Sequence, residues 1–331
     1  MNYGLIGHPL GHSYSKIIHE SLIENYQYTL MDLEPESLDS FMKAKEFKAI
    51  NVTIPYKQAV IDYLDWIDPH AKKIGAVNTI VNKDGKLHGY NTDYYGFLYT
   101  LKKHHIEVKN KKVLILGDGG ASKAVQAVIQ DLSPASLHIV NRTQKAYTID
   151  YQTAMEEHQD AQILINTTPC GMYPHVKEQC IDLLPFIHLE ACIDCIYNPI
   201  ETSLCTQARS LQVPIVVSGL EMLVAQAVKA LEYFKEIELD PSLIDTTYRQ
   251  LLMQTTNIIV HGTNTEEYKK LAFMLNKKWI QTMNTSAAYQ KNQVIQVESI
   301  ESLEWLRNGW IIQDDNAEIM KQEYLRLINT L

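Results

Sequence analysis

The stretch KKVLILGDGGASKAV, residues 111–125, limits the possible folds more than any other part of this 331-residue chain. Residues 113–116 are an unbroken apolar run, the pattern of a strand buried on both faces of a parallel sheet. Gly117, Gly119 and Gly120 follow and open into a helical pattern. Strand, glycine turn and helix in that order make a variant dinucleotide-binding turn. The glycines allow close backbone approach to a pyrophosphate, and the helix N-terminus offers it unpaired N–H groups. Glycine turns also simply connect strands to helices; the flanking elements are what favour the dinucleotide. Asp118 is discordant, because a carboxylate repels a pyrophosphate unless it turns away. Its plainer reading is a helix-entry acid favoured by the helix dipole.

The same alternation extends in both directions. Downstream, LHIVNRT, QILINTTP, ACIDCIY and VPIVVSG read as strands, and EMLVAQAVKALEYF as a helix. Leu223, Ala227, Ala230, Leu231 and Phe234 recur at helical spacing and form its expected buried face. Upstream, residues 3–8, 28–33, 48–54 and 76–82 read as short strands. SKIIHESLIEN and PESLDSFMKAK lie between them as helices, giving a βαβ alternation. A third α/β pattern starts at Asn257: strand NIIVHG, helix EEYKKLAFMLNKKW, strand VIQVES, helix ESLEWLRNG and strand WIIQDD. Trp279, Trp305 and Trp310 fall there, which implies a packed tail.

Charge and composition remove several function classes. The net charge of -9 argues against broad binding to a phosphate backbone. No apolar run reaches the length of a membrane span, and the N-terminus MNYGLIGHPLGHS lacks an export-signal pattern. The five cysteines, Cys170, Cys180, Cys192, Cys195 and Cys205, are an odd number, which fits a reducing cytoplasm. Cys192 and Cys195 form a CxxC, but within a strand residues three apart face opposite sides. A metal or redox role is not expected.

The segment after the second strand of the nucleotide unit selects the cofactor. An NAD site carries an acid there for the ribose hydroxyls. This chain has Asn141, Arg142, Thr143 and Lys145, and no acid. Arg142 can fork onto a 2′-phosphate, a charge-assisted contact worth about 1.5–3 kcal/mol. The expected cofactor is NADP; a solvated turn arginine is the plainer alternative.

NVTIPYKQAV, residues 51–60, reads as a strand running through Pro55 into a helix, with Lys57 at its start. A cation there opposes the helix dipole. The other polar clusters are Ser13 and Ser15, then Asn78 and Thr79, then Asn91, Thr92 and Asp93. With Asn51, Thr53 and Lys57 they form a set of neutral hydrogen-bonding groups plus one lysine and one aspartate. Singly each suits a capped turn; jointly, at strand ends, they suit a small polyhydroxylated ligand.

These residues bring the chain into resemblance with the shikimate dehydrogenase family. The motifs HSYS, NVTIPYK, GAVNT, NTD, LGDGGASKA, NRT, NTTPCGM, DCIYNP and GLEMLVAQ occur in the family's order over residues 3 to about 235. The resemblance implies an N-terminal α/β substrate domain, residues 1–103, completed by helices in 222–254. It implies a Rossmann-like NADP domain, residues 104–221, and leaves residues 255–331 as a small C-terminal α/β extension. It implies NADP-dependent reduction of 3-dehydroshikimate to shikimate in aromatic amino acid biosynthesis. By motif position Lys57 and Asp93 are the catalytic pair. Ser13, Ser15, Asn51, Thr53, Asn78, Asn91, Thr92, Tyr197 and Gln226 fall at or beside substrate-contacting positions. Gly117, Asp118, Gly119, Gly120, Ala121, Asn141, Arg142, Thr143, Lys145, Thr167 and Gly219 fall at cofactor positions, and no metal site is implied. The paired serines favour shikimate over quinate. Two positions depart from the family: Lys16 replaces a usual proline, and Asp118 a usual alanine, which puts cofactor affinity in question.

The tail carries a fainter likeness. Its opening resembles the P-loop segment of shikimate kinase, strand then GxxxxGK[ST] then helix. Aligned from Gly262, Glu267 stands at the second glycine, Tyr268 at the lysine and Lys269 at the hydroxyl position. The phosphate-gripping groups are missing, so kinase activity is not expected. A degenerate kinase-like remnant is favoured over an unrelated α/β module. Beside the leading reading stand a quinate or mixed quinate/shikimate dehydrogenase and a noncatalytic ligand sensor. Retention of Lys57 and Asp93 argues against the sensor. A small-molecule substrate is expected, with no nucleic acid or membrane partner, in a monomer or homodimer.

Overall fold

The computed structural model of the chain describes residues 2–10, 13–143, 145–261, 264–275, 277–281, 293–297, 309–312 and 316–330. They form three sheets.

The first sheet contains β1 (Tyr3–Gly7), β2 (Thr29–Asp32), β3 (Ala49–Val52), β4 (Trp66–Ile67), β5 (Thr79–Lys83) and β6 (Lys86–Tyr90), in the order β2-β1-β3-β5-β6-β4. It is mixed: β1 runs parallel to β2 and β3, and β5 antiparallel to β3 and β6. The βαβ expectation therefore holds only for its first half. The β5–β6 hairpin turns through Asp84 and Gly85, both with positive φ, and Asp-Gly is the dipeptide such turns favour. That signal was present in the sequence, although strands at 66–67 and 86–90 were not expected from it. The connecting helices are α1 (Ser15–Leu22), α2 (Leu38–Ala44) and α3 (Pro69–Ile74), with α4 (Thr92–Lys103) leading out.

The second sheet is wholly parallel. Its strands are β7 (Lys112–Leu116), β8 (Ser136–Val140), β9 (Thr148–Ile149), β10 (Ile163–Asn166), β11 (Ala191–Asp194) and β12 (Ile215–Val217), ordered β12-β11-β10-β7-β8-β9. Helices α5 (Gly120–Asp131), α6 (Tyr151–Glu157) and α7 (Ser203–Ser210) join them. Val113 and Ile115 pack into one core and Leu114 and Leu116 into another, which is why β7 reads as continuously apolar. The chain order reverses between β7 and β10, and ligands of open α/β sheets bind beyond such a switch point.

Two long helices return toward the first sheet and its helices: α8 (Leu220–Lys235) and α9 (Ser242–Thr255). α8 packs closely on α4 because Gly96 has no side chain; a β-carbon there would lie 2.6 Å from Met222 O.

The third sheet, also parallel, is ordered β14-β15-β13-β16, from β13 (Asn257–His261), β14 (Lys278–Gln281), β15 (Gln293–Val297) and β16 (Gly309–Ile311). It carries α10 (Thr265–Met274) and α11 (Ala317–Thr330). The helix expected to run to Trp279 ends at Met274, and Trp279 lies on β14. One apolar cluster joins Ile18 of α1, Val224 of α8, Leu251 of α9 and Ile258, Leu271 and Tyr324 of the tail. The tail thus shares its core with the helices behind the first sheet. Gly262, residues 301–308 of the expected helix with Trp305, and the ends of VIQVES and WIIQDD lie outside the described residues, as do His12 and Gln144; Gly309, expected to end that helix, opens β16 instead. No helix among the described residues is long and apolar enough to cross a membrane.

Candidate active site

Lys57 follows β3, in a turn that leads into a short 3-10 helix, Ala59–Tyr63. In place of the α-helix expected after Pro55 stands that five-residue 3-10 helix, and Lys57 precedes it rather than opening it. Local tertiary bonding shapes the turn instead: Lys57 O accepts Val77 N–H at 2.7 Å. Lys57 Nζ reaches Asp93 Oδ2 at 2.5 Å, with side-chain exposures of 13% and 11%. Asp93 sits in the first turn of α4, where the helix N-terminus favours a carboxylate. Asn91 caps that helix by accepting Tyr94 N–H and donates to Ala76 O at 2.8 Å. This cap fixes the entry of α4, and hence where Asp93 points.

Around the pair lies a connected polar network. Asn78 Oδ1 accepts Thr92 N–H at 2.7 Å, and Asn78 Nδ2 donates to Thr92 Oγ1 at 3.1 Å. Asn51 Nδ2 donates to Asn78 O and Thr79 Oγ1, and Asn51 Oδ1 accepts from Tyr28 Oη at 2.7 Å. Gln226, from α8, accepts Thr92 Oγ1–H at 3.2 Å. Several of these side chains therefore bind one another and form a scaffold. Tyr28 belongs to it although the sequence reading passed it over; a tyrosine on an apolar strand edge carries no local sign of such a role. Ser13 Oγ accepts Ser15 N–H at 3.2 Å. Thr53 Cγ2 covers Gly7, where a β-carbon would approach it to 2.4 Å. The Tyr197 ring lies 5.3 Å from that of Tyr14. Burial comes first and Tyr197 second in pushing the Tyr14 hydroxyl well above the ordinary tyrosine range.

The glycine turn lies at the carboxyl ends of β7 and β10. Gly117 has φ +97°, and a β-carbon there would meet Thr168 Cγ2 at 2.9 Å and Thr167 Oγ1 at 3.0 Å. Thr167 Oγ1 donates to Leu116 O at 2.6 Å, tying the two strand ends together. Gly119 faces open space and caps α5 with no side-chain bond, and Ala121 follows in the first turn. Open glycine backbone before uncapped helix N–H groups fits a pyrophosphate. Gly120 lies against Lys57, since a β-carbon there would come 3.3 Å from Lys57 Cδ. Gly219 admits the backbone of Cys195, whose carbonyl oxygen would lie 2.1 Å from an added β-carbon. Its position is explained by packing.

Asp118 does turn away. Its Oδ2 accepts Lys145 Nζ at 2.5 Å and Tyr147 Oη at 2.8 Å, in the segment after β8. Burial pushes the Asp118 carboxyl up, but the Lys145 and Tyr147 bonds outweigh it and hold it below the usual carboxylate range. Arg142 and Thr143 are exposed in the same segment, and Asn141 N–H donates to Ile149 O. No carboxylate pairs with Arg142 among the described residues. Cys192 packs into one core of the second sheet and Cys195 against the other. The described residues contain no His, Cys, Asp or Glu group that could hold a metal.

The chain is similar to known proteins. Residues 5–80 match the model of the shikimate dehydrogenase substrate binding domain. A shikimate dehydrogenase (NADP(+)) of Clostridium beijerinckii is 41% identical over 260 residues, 74% of this chain and 96% of that protein. The crystal structure of shikimate dehydrogenase 1 from Peptoclostridium difficile superposes with a TM-score of 0.70 at 36% identity, covering 76% of this chain and 98% of that one. The Thermus thermophilus shikimate 5-dehydrogenase, solved in complex with NADP(H) and shikimate, gives a TM-score of 0.67 at 30% identity over 76% and 99%.

Proposed function

The chain belongs to the shikimate dehydrogenase family, and from that membership we infer that it catalyses the reversible, NADP-dependent reduction of 3-dehydroshikimate to shikimate. NADPH, when bound, supplies the hydride that reaches the substrate carbonyl carbon. Gly117, Gly119, Gly120 and Ala121 hold its pyrophosphate, and Arg142, with Asn141, Thr143 and Lys145 around it, meets the 2′-phosphate. Thr167 and Gly219 shape the walls of that groove.

The observation that carries the reading is the nearly buried Lys57–Asp93 pair at 2.5 Å. Lys57 Nζ stabilises the negative charge developing on the substrate oxygen and gives it a proton. Asp93 holds the ammonium in place and accepts a hydrogen bond from the same hydroxyl. In the oxidative direction neutral Lys57 takes the hydroxyl proton. Ser13, Ser15, Thr53, Asn78, Thr92, Tyr197 and Gln226 bind the ring hydroxyls and carboxylate, with Asn51 and Asn91 supporting them.

The substrate domain comprises residues 1–103 with helices from 222–254, and the NADP domain residues 104–221. Residues 255–331 form a noncatalytic, kinase-like remnant. Two observations support that reading: Tyr268, at the P-loop lysine position, is 1% exposed, and Glu267, at the second glycine, accepts Ala317 N–H at 2.8 Å. Groups turned to packing in this way do not grip a phosphate. Five free cysteines suit a cytoplasmic enzyme, monomeric or homodimeric.

The test is the appearance of NADPH absorbance with the full chain, shikimate and NADP⁺, beside quinate and NAD⁺ controls. Turnover restricted to quinate overturns the substrate assignment. Shikimate binding without any turnover overturns the enzyme reading in favour of a sensor.

A further inference from the structure

We propose that Asp118 sets the cofactor selectivity of this enzyme by occupying Lys145, so that the preference for NADP over NAD rests on Arg142 and is narrower than two free cations would make it. The proposal rests on the NADP-dependent reading above.

Two segments carry the residues assigned above to the cofactor: the glycine turn, residues 117–120, and the described residues 141–143 and 145–148 after β8. Asp118 crosses between them. Its carboxylate is 8% exposed and takes both Lys145 Nζ and Tyr147 Oη. Lys145 Nζ also lies 3.4 Å from Tyr147 Oη and 5.7 Å from the Tyr147 ring centroid. The ammonium is therefore bound on two sides within the segment that carries Arg142. Lys145 is 43% exposed, so its charge is within reach of an incoming phosphate but already neutralised.

An NAD site places an acid at the end of its second strand. Here that strand end has none, but the first turn delivers a carboxylate to the same segment. The consequence for a 2′-phosphate is specific. Recruiting Lys145 requires breaking or sharing a hydrogen-bonded ion pair, whereas recruiting Arg142 does not. A cofactor without the 2′-phosphate does not need Lys145, so the latch leaves it untouched. Repulsion of the pyrophosphate by Asp118 would act on both cofactors alike. The ratio of the two affinities therefore isolates the effect.

The experiment is calorimetric titration of the folded full chain with NADP⁺ and with NAD⁺. The proteins are the natural chain, Asp118→Asn, Asp118→Ala, Lys145→Ala, Arg142→Ala and Asp118→Asn/Lys145→Ala. Releasing Lys145 should tighten NADP⁺ by roughly fivefold or more, in line with one charge-assisted bond, and shift NAD⁺ by less than about twofold. Lys145→Ala alone should weaken NADP⁺ by less than about threefold, and Arg142→Ala by about tenfold or more. In the Asp118→Asn background the Lys145→Ala change should become as large as that of Arg142→Ala. Equal tightening of both cofactors would overturn the proposal, because Asp118 then acts on the pyrophosphate. Weaker NADP⁺ binding in both Asp118 variants would also overturn it, since Asp118 then aims Lys145 at the phosphate. A natural chain that binds neither cofactor overturns the dehydrogenase reading itself, a result distinct from either of these.

Discussion

The side chain of Lys57 lies against Gly120, the first residue of α5: a β-carbon added there would come 3.3 Å from Lys57 Cδ and 3.7 Å from Lys57 Cβ. The glycine turn of the second sheet thus touches the lysine proposed as proton donor beside the first. Gly120→Ala forces Lys57 to yield by a few tenths of an ångström. Because small misplacements of reacting groups are expensive in rate, kcat should fall roughly tenfold. Steady-state kinetics beside thermal unfolding checks this, and an unchanged kcat would mean that Lys57 adjusts freely.

Lys57→Ala removes the proposed proton donor but leaves the Asn51, Asn78, Thr92 and Gln226 network in place. Turnover should drop by about 10²–10⁴, the usual contribution of a general acid. Shikimate should still bind, as read by calorimetry. Near-normal turnover would sink the assignment of Lys57.

The contact between α4 and α8 depends on Gly96. An added β-carbon would lie 2.6 Å from Met222 O and 3.0 Å from Gln226 Cβ. Gly96→Ala should destabilise the fold by about 1–3 kcal/mol through overpacking. It should also raise the KM for shikimate, because the helices that part carry Thr92 and Gln226, which meet at 3.2 Å. Urea unfolding with substrate titration separates the two effects.

Lys277 gives the tail a pH signature. Its Nζ donates to Met253 O and Thr256 O, each at 2.8 Å, at the end of α9. Burial pushes its ammonium down from 10.5 to about 7. Between those values the unfolded chain holds a proton that the folded chain lacks, so this contribution to stability grows as pH rises from about 7 and is lost below it. The gain is at most about 1.4 kcal/mol per pH unit. Lys277→Met should flatten the dependence, as measured by denaturant unfolding between pH 7 and pH 9.

Much of this was legible in the sequence, and the unread parts have identifiable causes. The second sheet was plain because its strands are buried on both faces and its glycine turn is local chemistry. The β5–β6 hairpin was missed despite Asp84-Gly85, because the polar residues of KLHGY hide a strand whose Leu87 and Gly89 are buried. The helix expected at Lys57 failed because Lys57 O bonds to Val77, a residue brought close only by the sheet. The helix expected to reach Trp279 ends early because Trp279 pairs on β14 with Val294.

The residue types in the site, the strands that present them and the family they resemble were determined by the sequence itself. Apolar periodicity, turn chemistry and motif order are properties of neighbouring residues and need no third dimension. Only the tertiary structure decided which of those groups meet. Lys57 and Asp93 are 36 positions apart, and Asp118 and Lys145 are 27 apart. Their contacts are set by strand register and helix packing. Whether Asp118 repels a phosphate or binds a lysine depends on the direction of one side chain, which no local pattern specifies.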